Sequence, residues 1–145
     1  MSINLKSKML VLLEAARESL LEFGSLPPVI IIYAKDDEHV IVDIKSKTGK
    51  QTRQRIRKLT KKFRAEAACL TFTGFCAECN KSLYQQGILP EHHPERNEVL
   101  SVVGRDRNQS LLLIQMFSRT QDGLLFEEPI PVSPSESILS DCKLY

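Results

Sequence analysis

The chain has 145 residues, 42% of them hydrophobic and 26% charged, which suits one globular domain that buries roughly two-thirds of the surface its unfolded form exposes. Its formal charge of +2 hides an asymmetry: ten of the twenty Lys and Arg residues fall between Lys45 and Arg64, a stretch without Asp or Glu, while the rest of the chain sets ten basic side chains against eighteen acidic ones. No apolar run approaches the roughly 18 to 20 residues that cross a bilayer, Met1 to Lys6 lacks the zones of a secretion signal, and four cysteines are too few for a disulfide scaffold, so a reduced cytoplasmic protein without membrane insertion is expected.

Residues 4 to 23 place Leu5, Met9, Leu12, Leu13, Ala16, Leu20 and Phe23 at helical spacing, with Lys6, Lys8, Glu14, Arg17, Glu18 and Glu22 mostly on the other faces. Ser2 or Asn4 can cap this amphipathic helix, Gly24 suits the left-handed stop, and Pro27-Pro28 prevent continuation. Val29 to Tyr33 and His39 to Ile44 are rich in β-branched residues and flank the polar Lys35 to Glu38, which predicts a hairpin. The unbroken apolar run of the first strand suggests that both of its faces are covered.

A second helix is predicted from about Thr48, which stands three residues before Gln51 in the capping-box relation. Its apolar stripe is thin, Ile56, Leu59, Phe63 and Ala67, and leaves the rest of the helix to water. A strand follows from Ala68 to about Cys76, and residues 80 to 96, with Gly87, Pro90 and Pro94, read as a long connection. Three further strands are expected at 98–103, 110–117 and 124–128, joined by turns at Gly104 to Asn108 and at Thr120 to Gly123. Residues 1–130 form one domain on this reading, and 131–145 a loosely attached tail. The predicted class is α+β: a mainly antiparallel sheet of five or six strands with both helices packed on one face.

The basic helix carries the functional expectation. Lys50, Arg53, Arg57, Lys61 and Arg64 fall at i, i+3, i+7, i+11 and i+14, a stripe of cations about 20 Å long, and Arg55, Lys58 and Lys62 make a second one. Like charges at that spacing cost a few tenths of a kcal/mol per pair, so some opposing gain is needed. A polyanion supplies it by releasing counterions, and backbone contact with nucleic acid is the favoured mode, in a binding module rather than an enzyme. Two features weigh against sequence readout: there is no helix-turn-helix pair, and aromatic groups are not interleaved with the cations. The alternatives are a solvated face, or one neutralised by Glu14, Glu18, Glu22 and Asp36 to Glu38, or a docking surface for an acidic protein, for a membrane surface or for another subunit of a homo-oligomer.

Cys76 and Cys79 form a C-x2-C pair, and His92 follows after twelve residues, as the first three ligands of a zinc finger would. The fourth ligand is missing from its place, and His93 is adjacent to His92, so no metal or cofactor is assigned. A redox role is opposed by Glu78, whose anion between the cysteines disfavours thiolate. The loop histidines and carboxylates of Glu91 to Glu98 could serve acid–base chemistry, but no nucleophile or phosphate-binding motif accompanies them.

Ala65-Glu66-Ala67 leading into a strand, then His93-Pro94-Glu95-Arg96-Asn97-Glu98-Val99-Leu100, a hairpin, and the Asp122-Gly123 turn together resemble small bacterial and phage proteins of unknown function. The resemblance covers about residues 60 to 128. It implies a bacterial or phage cytoplasmic setting and brings no activity or ligand with it.

Overall fold

In the computed structural model, which describes residues 4–35, 38–43, 49–76 and 97–132, the elements run α1 (Leu5–Phe23), β1 (Val29–Tyr33), β2 (His39–Asp43), α2 (Gly49–Phe63), β3 (Ala67–Cys76), β4 (Asn97–Asp106), β5 (Ser110–Thr120), β6 (Gly123–Phe126) and β7 (Ile130–Val132). The strands form one antiparallel sheet in the order β2-β1-β3-β4-β5-β6, with β7 also on β5. The α+β class with a mainly antiparallel sheet is therefore as the sequence implies.

Local chemistry sets α1. The Asn4 side chain accepts from the Ser7 N–H at 3.1 Å, and Gly24, at φ 75°, donates its N–H to the Leu20 carbonyl at 2.8 Å. These are the cap and the left-handed stop that satisfy orphan backbone groups at each end. Leu5, Met9, Leu13, Ala16 and Leu20 are buried, while Phe23 is 71% exposed. Phe23, expected on the apolar stripe, is the last helical residue and does not reach the core.

The two helices, expected on one face, lie on opposite faces of the sheet. Strand side chains alternate between faces, and β1 is buried on both. Ile31 and Tyr33 join Cys69, Leu100, Val102, Leu113 and Phe117 beneath α1, whereas Ile30 and Ile32 join Val42, Ala68, Leu70 and Val103 around Ile56 of α2. A strand with two apolar faces requires a layer on each side, which helices stacked on one face cannot provide.

β1 pairs with β2 on one side and β3 on the other, antiparallel to both, so β2 and β3 run the same way. The chain must return to the starting end of the sheet between them, and α2 is the element that carries it. α2 ends four residues before the last position of its expected stripe: Ala67 belongs to β3, and Phe63 is 36% exposed. The buried edge of the helix instead runs Thr52, Ile56 and Thr60, with Leu59 half-buried. Thr60 can be buried because its hydroxyl donates within the helix, with the Ile56 and Arg57 carbonyls 2.8 and 3.0 Å away.

The hairpin β4–β5 turns later than expected. Gly104 lies inside β4, and the turn is built on Asp106, whose Oδ1 accepts from the N–H groups of Asn108 and Gln109, both at 2.8 Å. Gly104 serves packing instead: it faces Met9 and Leu5, and α1 approaches the sheet closely there because no side chain intervenes. On the far edge, β6 pairs with β5 through Phe117↔Phe126 and β7 through Ile114↔Ile130, so two residues of β5 oppose three of the other strand. This is a β-bulge. The buried Gln115 side chain anchors it by donating to the Glu127 carbonyl at 2.7 Å. The predicted long connection and the tail beyond Val132 lie outside the described residues.

Candidate functional site

α2 shows what its sequence promises on the outside. Lys50, Arg53, Arg55, Arg57, Lys58, Lys61 and Lys62 are all exposed, as is Arg64 just after the helix. At roughly 100° per residue the seven helical cations cover about 200° of the helix surface, opposite the Thr52–Ile56–Thr60 edge. The two stripes merge into one basic sleeve about 20 Å long.

The position of Arg64 differs from the expectation. It is not the last member of a helical stripe but the residue that stops the helix, in the left-handed conformation at φ 51°. Its N–H donates to the Lys61 carbonyl at 3.3 Å and the Ala65 N–H to the Thr60 carbonyl at 2.9 Å, the paired bonds of a Schellman stop. Glycine is the usual occupant there, and a residue with a Cβ is strained by roughly 1 to 2 kcal/mol.

Helix electrostatics do not explain the cations. Lys61 and Lys62 in the last turn complement the negative end of the helix dipole, but the first turn has no acid and carries Lys50, near the positive end. Neutralisation by α1 is also ruled out within one chain: Glu14, Glu18 and Glu22 sit on a helix across the sheet. Arg53, Arg57 and Arg64 do have partners in the fold. Among the described residues, no carboxylate stands within ion-pair distance of Lys50, Arg55, Lys58, Lys61 or Lys62.

At the C-terminal end of α2 the surface is concave. A cleft of about 400 Å³ is lined by Ala34, Lys35, Glu38, Phe63, Arg64 and Glu66, and an adjoining recess of about 390 Å³ extends it to His39 and Val40. Backbone bonds fix its walls: the Glu66 N–H donates to the Tyr33 carbonyl at 2.8 Å and the Ala34 N–H to the Glu38 carbonyl at 2.7 Å. The Lys62 ammonium lies 5.5 Å from the centroid of the Phe63 ring. Sequence spacing placed Phe63 in the core, and nothing in the periodicity signalled that the helix would stop beside an open recess.

Cys76 is the last residue of β3, while Cys79, His92 and His93 lie outside the described residues. Among the described residues no group of three His, Cys, Asp or Glu side chains is placed to hold a metal ion. Cys69 is a buried free thiol beneath α1, and burial pushes its pKa up to about 12, so it is held protonated and unreactive. Among the described residues no helix is long and apolar enough to cross a membrane. Comparison of the chain with protein-family models, curated proteins and solved structures finds no match.

Proposed function

We propose that this protein is a non-enzymatic binding module that lays α2 along an anionic polymer, nucleic acid in the first instance. The observation that supports this reading is the solvent-facing sleeve of α2, in which Lys50, Arg55, Lys58, Lys61 and Lys62 find no described carboxylate while the acids of α1 stand behind the sheet. A helix that carries like charges at i, i+3 and i+4, with a cation in its first turn, gains from a partner that brings negative charge to its whole length. Phosphates spaced along a backbone do so, and each one neutralised releases counterions. Contact of this kind positions the polymer and reads no base edges.

The test is binding to heparin and to mixed-sequence DNA as a function of salt. Five phosphate contacts give a slope of log affinity against log salt of about −4.5 on duplex and about −3.5 on single strands. Lys50→Gln, Lys58→Gln and Lys61→Gln together remove cations that have no described partner to lose, and are expected to flatten the slope by about 2 to 3. Affinity and slope unchanged in that triple variant reject the reading.

A second reading is an oligomeric accessory domain, and one observation favours it. β2 is an edge of the sheet, and its Ile41 is 62% exposed. Unprotected edges template pairing with another strand. Mass measurement in solution at low and high salt separates the cases: a dimer docked through α2 charges dissociates as salt rises, and one paired through β2 persists.

A further inference from the structure

We infer that the cleft at the C-terminal end of α2 receives an unstacked base of a single-stranded nucleic acid whose phosphates lie along the helix. The inference rests on the polyanion reading of α2 and narrows it from any polyanion to a single strand.

Three features of the cleft point this way. The first is an aromatic surface at the end of the basic sleeve: Phe63, 36% exposed, stands between Lys62 and Arg64 in the chain, on the sheet-facing side of the helix. Stacking on an aromatic ring is how proteins hold unpaired bases without demanding a sequence, and every base offers a π-face. The second is shape. Ala34, Val40 and Phe63 supply the apolar part of the lining of the cleft and its adjoining recess, which are open to solvent and admit a flat group from outside. In a duplex the bases are already stacked on one another, and a base would have to be flipped out to enter.

The third is the balance of charge inside. Glu38 and Glu66 line the same cleft as Lys35 and Arg64, so its lining carries no net charge beside a wholly basic helix, and a phosphate gains more on the helix than in the cleft. A carboxylate suits a base edge, where it accepts from an exocyclic amino group such as N4 of cytosine. Phosphates and base are thus sorted between two adjoining surfaces: the backbone goes to Lys58, Lys61 and Lys62, and the base turns inward between Phe63 and the two carboxylates. Thymine and uracil have no amino group to offer, so amino-bearing bases should be preferred. The Lys62 ammonium lies over the ring face, but it is exposed and on a flexible stem, so a base that stacks there displaces it toward a phosphate.

Fluorescence anisotropy on the full chain tests this with three labelled probes at one salt concentration: a 15-mer of dC, a 15-mer of dT, and a mixed 15-base-pair duplex. The expected order is oligo-dC over oligo-dT, with duplex weakest. Phe63→Ala should weaken both single strands by about tenfold or more, leave duplex and heparin within about twofold, and leave the salt slope unchanged. The chain has no Trp, so Phe63→Trp adds a unique fluorophore that keeps the stacking face and should be quenched by the single strands. Phe63→Leu covers the case in which the alanine variant does not fold, since it keeps the apolar packing and lacks the ring face; it should lose affinity as alanine does.

Equal loss on single strand and duplex, no loss in either variant, or tighter binding of duplex overturns the inference. If the lysine triple variant still weakens binding in those cases, the polyanion reading of α2 survives alone. Absence of binding to any of the probes and to heparin removes both.

Discussion

Gly104→Ala gives the sharpest test of how α1 is seated. The backbone at Gly104 is ordinary strand, so the substitution meets no conformational barrier and its effect is steric. A Cβ there would run into Met9 Sδ, with Met9 Cγ 2.9 Å and Leu5 Cδ1 3.1 Å away, against an ordinary carbon contact of about 3.5 to 4.0 Å. Met9 is flexible, but it is 0% exposed and Leu5 1%, so neither has free space to move into. Overpacking of this sort costs about 1 to 3 kcal/mol, and the loss of glycine's freedom in the unfolded chain returns about 0.4 to 1 kcal/mol. The net destabilisation is about 1 to 2 kcal/mol, or roughly 3 to 6 °C in Tm for a chain of this length. Thermal and urea denaturation of Gly104→Ala, Met9→Ala and the double variant form a cycle. Because the new methyl group fills part of the space vacated by Met9, the double variant should be more stable than the sum of the singles by about 0.5 to 3 kcal/mol. A Gly104→Ala protein that melts at or above the parent temperature, with additive energies in the cycle, would refute the close approach of α1 to β4.

Two further outcomes follow from single residues. Arg64→Gly relieves the left-handed strain at φ 51° and should raise stability by up to about 1 kcal/mol in urea titration; a destabilised variant contradicts the strain assigned to this stop. Burial pushes the Cys69 thiol up to about 12, so the folded state resists ionisation that the unfolded chain undergoes from about pH 8.5. Stability from this group is therefore complete below that pH and is lost as pH rises toward 12, by about 1.4 kcal/mol per unit within the window. Tyr33, raised by burial and by its neighbour Cys69, acts in the same direction at higher pH. Urea midpoints measured between pH 7 and pH 10 should fall steeply, and less so in Cys69→Ala; equal slopes would show that the thiol is not buried as described.

Some elements could be read from near neighbours in the chain. Asn4 and Gly24 bracket α1 because caps and left-handed stops are local backbone chemistry, and the β-branched runs of β1 and β2 fall where propensity puts them. The apolar run of β1 even held the sign that both of its faces are covered, which conflicts with two helices on one side. Thr52 and Thr60 were legible only in hindsight, since they stand four residues to either side of Ile56 but carry hydroxyls. The hydroxyl of Thr60 is satisfied by its own helix, a bond that periodicity of hydrophobicity does not register. Gly104 was misread for the opposite reason: a glycine followed by Arg and Asp has turn chemistry, and only the position of Met9 across the interface explains it as a packing residue.

The same division holds for the candidate site. Ten cations in twenty residues are written in the sequence, and helical spacing alone puts most of them on solvent-facing arcs, because charged groups cannot enter a core without partners. Which carboxylates stand near them, and whether a recess opens at the end of the helix, depended on contacts between distant segments. The sheet places the acids of α1 behind the basic helix, and the stop at Arg64 leaves the Phe63 ring beside Ala34 and Glu38. Charge density is a property of the chain, whereas the direction a charge faces and the surface beside it are decided only when the layers pack.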